Sequence, residues 1–163
     1  MVIAADSLLD ILREVKDPEL PALDVVELGI VRDVHATEDH VRIDITPTYS
    51  GCPAIRAIEN DIVETLTAHG VANVTVRTVY SPAWTTDWLS AEAKEKLRAA
   101  GIAPPGPVEI EPLVMLKRAP RAVVCPYCGS ADSEERSEFG STACKSIHYC
   151  NGCHQPFDRF KAL

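Results

Sequence analysis

The chain has 163 residues, enough for one domain or one domain plus a small appendage. It is 46% hydrophobic and 25% charged, which excludes a disordered or fibrous chain. A formal net charge of −8 disfavours a nucleic-acid binder that relies on broad phosphate neutralisation.

In chain order, Met1–Ala5 is weakly apolar, but Asp6 and Asp10 follow at once. With no basic segment ahead of a long apolar core, no targeting signal is expected. No stretch approaches the roughly 18 apolar residues of a membrane span. The expected setting is the cytoplasm, where thiols stay reduced. Six cysteines there imply metal binding or reactivity rather than disulfides.

Ser7 is placed to cap a first helix over Leu8–Val15, with Leu8, Leu9, Ile11, Leu12 and Val15 as its apolar face. Asp17-Pro18 ends it. A strand is predicted over Ile30–His35. A second follows where Val41, Ile43 and Ile45 alternate with Arg42 and Asp44, joined to the first by a hairpin at Glu38–His40. Pro53 suits the first position of a helix whose stripe is Ile55, Ile58, Ile62, Val63 and Leu66, stopped by Gly70. Val74, Val76 and Val79 form a third strand candidate. Ser90 caps a last helix, Ala91–Ala100, which ends at Gly101. The order α-β-β-α-β-α predicts a small α+β domain of two or three layers over residues 1–101.

This first part holds 9 of the 16 Lys/Arg and 17 of the 24 Asp/Glu, so all the excess acid lies in it. After it, Pro104, Pro105, Pro107 and Pro112 deny backbone donors and cannot continue a helix. Residues 102–119 are read as a stiff, extended linker.

Residues 120–163 carry two Cys-x-x-Cys pairs, Cys125/Cys128 and Cys150/Cys153. Two intervening residues let both thiolates of a pair reach one ion, and four thiolates close a tetrahedral zinc site with no open position. So short a module needs that metal to fold. Cys144 forms no such pair and is read as a small buried side chain. His148 and His154 are read as surface or supporting groups. Phe139, Phe157 and Phe160 are read as a miniature core.

Cys52 is the one cysteine before the linker, and it sits between a predicted strand and a predicted helix. Helix N-termini stabilise thiolates, and a soft thiolate suits copper(I), zinc or iron–sulfur species. A buried neighbour of the helix cap without chemistry is the alternative. One chain offers an incomplete metal site there, which a second copy or a partner would complete. Asp17 and Glu19 are acid–base or metal-holding candidates, against the plainer reading of an Asx turn. Trp84 and Trp88 either anchor a partner or cover the end of the core. No nucleotide-binding fingerprint, catalytic triad or Glu-x-x-His pair is present.

The segments Asp17–Leu20, Val25–Val31, Thr48–Pro53 and Ser81–Asp87, in that order, resemble the SufT-like family of domains associated with iron–sulfur cluster assembly. With the ribbon and its segments Phe139–Lys145 and Pro156–Lys161, the whole chain resembles the D-subunit family of phenylacetyl-CoA epoxidase systems. The resemblance implies a SufT-like α/β sandwich followed by a zinc ribbon. It also implies aerobic phenylacetate catabolism, in which a di-iron oxygenase epoxidises the ring and an iron–sulfur flavin reductase feeds it. The chain would be an accessory component without catalytic activity of its own. Cys52, Asp17 and Glu19 would bind or pass on a transient iron or iron–sulfur species to the reductase or the oxygenase. A purely structural role in the complex is the rival reading.

Overall fold

The computed structural model of the chain describes residues 4–106 and 122–162. The chain divides into two compact units, Met1–Trp84 with Trp88–Ala93, and Thr85–Asp87 with Lys94–Leu163.

The first unit is built from helix α1 (Ala5–Leu12), strands β1 (Val31–Ala36) and β2 (Val41–Ile45), helix α2 (Ile55–Ala68) and strand β3 (Val74–Thr78). β1 and β2 form an antiparallel hairpin, and β2 pairs in parallel with β3 through the α2 crossover, giving the order β1-β2-β3. The period-two pattern of β2 turns Ile43 and Ile45 into the core. Leu8, Leu12, Ile58, Ile62 and Leu66 of the two helices are fully buried as well. Burying a Leu or Ile side chain stabilises by about 1.5–3 kcal/mol, so these residues contribute a large part of the unit's packing energy, along with Leu20, Leu23, Leu28 and Ile30.

α1 differs from the Leu8–Val15 expectation by one turn. Its N-cap is Ala4 with no side-chain cap, and the helix ends at Leu12. Val15 is buried beyond the helix, where its carbonyl accepts from the Val25 N–H at 3.0 Å. α2 begins at Ile55 with Ala54 as N-cap, so Pro53 precedes the helix instead of occupying its first position. Gly70 stops it with φ +83°.

A short 3-10 helix (Thr86–Trp88) and α3 (Ala91–Ala99) follow, and the Ser90 hydroxyl accepts from the Ala93 N–H at 3.0 Å as expected. The second unit contains a four-stranded sheet of β4 (Ile102–Ala103), β5 (Ser133–Ser137), β6 (Lys145–Cys150) and β7 (Pro156–Phe160), in the order β4-β7-β6-β5. Ile102 and Ala103, expected to open the linker, are extended but paired in parallel with Asp158 and Arg159 of β7. Residues 107–119 of the expected linker lie outside the described residues.

Two other readings of this unit change. Phe157 and Phe160 are buried, but Phe139 is 60% exposed, with the Lys161 ammonium 4.2 Å from its ring centre. His148, read as a surface or supporting group, is not at the surface: it is buried and stacks on Phe157 at 5.6 Å, because β6 turns it to the same face as Cys150. Burial holds its imidazole below the usual histidine range. Cys144 is buried as expected, its sulfur 3.1 Å from the Thr142 hydroxyl.

Candidate functional site

The two Cys-x-x-Cys segments fold as the same turn made twice. The Cys125 N–H donates to the Ser130 carbonyl at 2.9 Å, and the Cys150 N–H donates to the Gln155 carbonyl at 3.0 Å. The Cys125 carbonyl accepts from Gly129, and the Cys150 carbonyl accepts from His154. Both turns require a left-handed residue after the second cysteine. Gly129 supplies it at φ +75° and His154 at φ +60°. The turns face each other closely: a Cβ on Gly152 would lie 3.1 Å from the Ser130 side chain.

This pairing brings the four sulfurs within 4.8 Å of one another. Cys125 Sγ and Cys153 Sγ are 3.7 Å apart, and Cys128 Sγ and Cys150 Sγ 3.5 Å. Zinc–sulfur bonds of about 2.3 Å set a tetrahedral S···S edge of about 3.8 Å, so the cage fits one zinc ion. The thiols do not ionise alike. N–H groups of Cys153 and Gly152 bring Cys150 down to about 7, whereas burial and the Cys128 sulfur push Cys153 up to about 12. Four thiolates cannot share this volume at neutral pH without a positive charge. Among the described residues this is the one cluster of three or more candidate metal-binding side chains.

The Cys52 site lies in the first unit, where β2 runs into α2. The loop buries Thr46 and Thr48 and closes with the Cys52 N–H on the Tyr49 carbonyl at 3.1 Å. Cys52 is half-buried. The expectation that the helix start would favour its thiolate is corrected here. Burial pushes the thiol up, and the negative charges of Glu19 and Asp17 add to it. The N–H groups of Ala54 and Ile55 pull the other way and do not win. The same fact brings together the three residues singled out from sequence, since Glu19 and Asp17 are close enough to act on the sulfur.

Asp17 is 4% exposed, and its Oδ1 accepts from the N–H of Glu19 at 2.7 Å and of Leu20 at 2.8 Å. It is thus an Asx turn that also places a charge beside Cys52. Asp24, missed in the sequence, repeats the device by accepting from the N–H of Val26 and Glu27, while Glu27 Oε2 accepts from the Asp24 N–H at 3.3 Å. The Asp-x-x-Glu spacing is the sequence signal for it.

Trp84 is buried, and its indole N–H donates to the Leu28 carbonyl at 2.9 Å. It packs edge-on against Trp88, over which the Arg32 guanidinium sits at 3.8 Å. Gly29, at φ +71°, passes beneath both indoles. Trp84 therefore closes the end of the core, one of the two roles the sequence left open. Trp88 and Arg32 are partly exposed.

The chain thus carries an α+β domain with a cysteine at a strand–helix junction, followed by a four-cysteine ribbon. Family models agree: "Iron-sulfur cluster assembly protein" matches residues 5–79, and "PaaD zinc beta ribbon domain" matches residues 109–161. The chain is 42% identical over 153 residues to the D subunit of the putative 1,2-phenylacetyl-CoA epoxidase of Escherichia coli (strain K12), covering 94% of this chain and 90% of that one. It belongs to that family of D subunits. The first part alone is 36% identical to the Fe-S protein maturation auxiliary factor YitW of Bacillus subtilis (strain 168), over 55% of this chain and 88% of the relative. A crystal structure of a domain of unknown function, DUF59, from Bacillus anthracis matches with a TM-score of 0.54 and 36% identity, over 56% of this chain and 89% of that one. No helix among the described residues is long and apolar enough to cross a membrane.

Proposed function

We propose that this chain is a maturation factor for a phenylacetyl-CoA ring-epoxidising system in the reducing cytoplasm. Iron or an iron–sulfur cluster is its cargo, held briefly at Cys52 and handed to the reductase, with the oxygenase as second client. One observation carries the proposal. The half of the chain that holds Cys52 matches an iron–sulfur assembly family, inside a chain whose full-length relative is named as an epoxidase component. None of the six cysteines is joined in a disulfide.

Capture at Cys52 exchanges an S–H bond for a sulfur–iron bond, and the proton leaves to solvent. Asp17 and Glu19 place negative charge beside the incoming cation, which lowers its energy there. A donor set of one sulfur is incomplete, so the client or a second copy supplies the remaining ligands. The four ribbon cysteines hold a structural zinc ion. The rival, a purely structural role in the complex, draws support from the same raised Cys52 thiol, which is protonated at neutral pH before any cation arrives.

The reductase and oxygenase are expressed anaerobically with and without this chain, and iron and sulfide per client are measured. The proposal expects the reductase to be under-loaded in its absence. Equal loading, with the complex lost instead, supports the structural reading.

A further inference from the structure

We propose that the zinc module begins in the C-terminal half of α3, so that metal occupancy of the four-cysteine cage and the order of Lys94–Ala103 are coupled. Neither family match reaches this segment, since one ends at residue 79 and the other starts at residue 109. The structure nevertheless groups Lys94–Ala103 with the second unit, and the end of the segment, Gly101–Ala103, makes three contacts there.

The first contact is at Gly101, which ends α3 with φ +78° and donates to the Arg98 carbonyl at 3.0 Å. Tyr127, which lies between the ligands Cys125 and Cys128, rests its ring edge on this glycine. A Cβ there would stand 2.7 Å from Tyr127 Oη and 3.0 Å from Cε1, so a side chain at this position would push the tyrosine ring away. The second is β4, where Ile102 and Ala103 pair with Asp158 and Arg159. The third is Ala103 itself, 1% exposed in a small buried cluster with Val123, Cys125, Cys150 and Phe157, against which Cys153 packs. Three of the four ligands therefore belong to, or pack against, the cluster that holds Ala103.

Physical chemistry makes these contacts conditional on the metal. A two-residue strand does not persist alone, and a small module of this kind draws its folding free energy from metal binding. When the cage opens, the surface under Ala103 and the seat of Tyr127 on Gly101 go with it. Linkage makes the effect reciprocal: if zinc orders the segment, the ordered segment slows zinc loss.

The test is hydrogen exchange on the full-length protein, zinc-loaded and then stripped with a chelator under reducing conditions. Amides of residues 97–103 should lose protection together with those of β6 and β7. Retained protection at 97–103 while β6 and β7 exchange would overturn the proposal. Tyr127→Ala, with zinc still bound, should release zinc to a competing chelator about tenfold faster, within the range usual for coupled sites. An unchanged release rate would overturn it too, as would a chain that purifies with no metal on these cysteines.

Discussion

Replacing Asp17 separates the turn's stability from its charge. Its Oδ1 accepts two backbone N–H groups at 2.7 and 2.8 Å from a position 4% exposed. Hydrogen bonds to a charged acceptor contribute about 1.5–3 kcal/mol each, so Asp17→Ala should destabilise the first unit by about 3 kcal/mol. For a unit of this size that is a fall in Tm of about 15 °C. Asp17→Asn keeps an acceptor oxygen in place and should cost only about 1 kcal/mol. Both changes remove a negative charge that raises the Cys52 thiol. In folded Asp17→Asn, Cys52 should therefore alkylate faster than in the wild type at pH 7, as followed by peptide mass spectrometry. An Asp17→Ala unfolding curve within about 3 °C of wild type would refute the turn's role, the expected shift being several times larger. Unchanged Cys52 alkylation in Asp17→Asn would refute the electrostatic one.

Because the Cys52 thiol is raised, capture must expel a proton, and iron(II) affinity at this site should climb about tenfold per pH unit between pH 6 and 8; calorimetry on the zinc-loaded chain, with zinc-loaded Cys52→Ala as the blank, would reveal a flat profile if this is wrong. Asp44 is buried on β2, bonded by Arg77 at 2.6 and 3.0 Å with Arg42 and His35 close by, and the Arg77 bond holds its carboxyl below the usual range. A depressed folded pKa means that this stabilisation is present above about pH 4 and is lost as pH falls through the folded value. Asp44→Asn should thus cost about 2 kcal/mol at pH 7 and progressively less as pH falls below about 4, the partly exposed arginines being free to turn to water; a loss that does not shrink with falling pH in urea titrations would contradict this. Cys125→Ser should lose its zinc while Cys144→Ser, whose sulfur meets Thr142, should keep it, as metal analysis of the two purified variants would register.

Some features are legible in the sequence because they are local. The spacing of Cys125/Cys128 and Cys150/Cys153 encodes two identical turns, and Gly129 even marks the left-handed position of the first. Alternation at Val41–Ile45 and the stripe of α2 reflect burial periods that any single strand or helix displays. Features set by distant partners are not legible in this way. Asp44 reads as an outward residue between Ile43 and Ile45, yet arginines from β2 and β3 and a histidine from β1 cover it. β4 is two residues long, and its partner lies more than fifty residues away. The state of the Cys52 thiol is hidden for the same reason: a helix start is visible in sequence, whereas the carboxylates of Asp17 and Glu19 come from a turn far back in the chain.

Cys52→Ala tests the central claim most directly. The variant is co-expressed with the reductase, and iron and acid-labile sulfide are counted on the purified client. The account predicts a variant that stays folded, keeps its ribbon zinc and still binds the client, while the reductase is left short of cluster. A reductase fully loaded by the alanine variant would contradict it and remove Cys52 from the transfer.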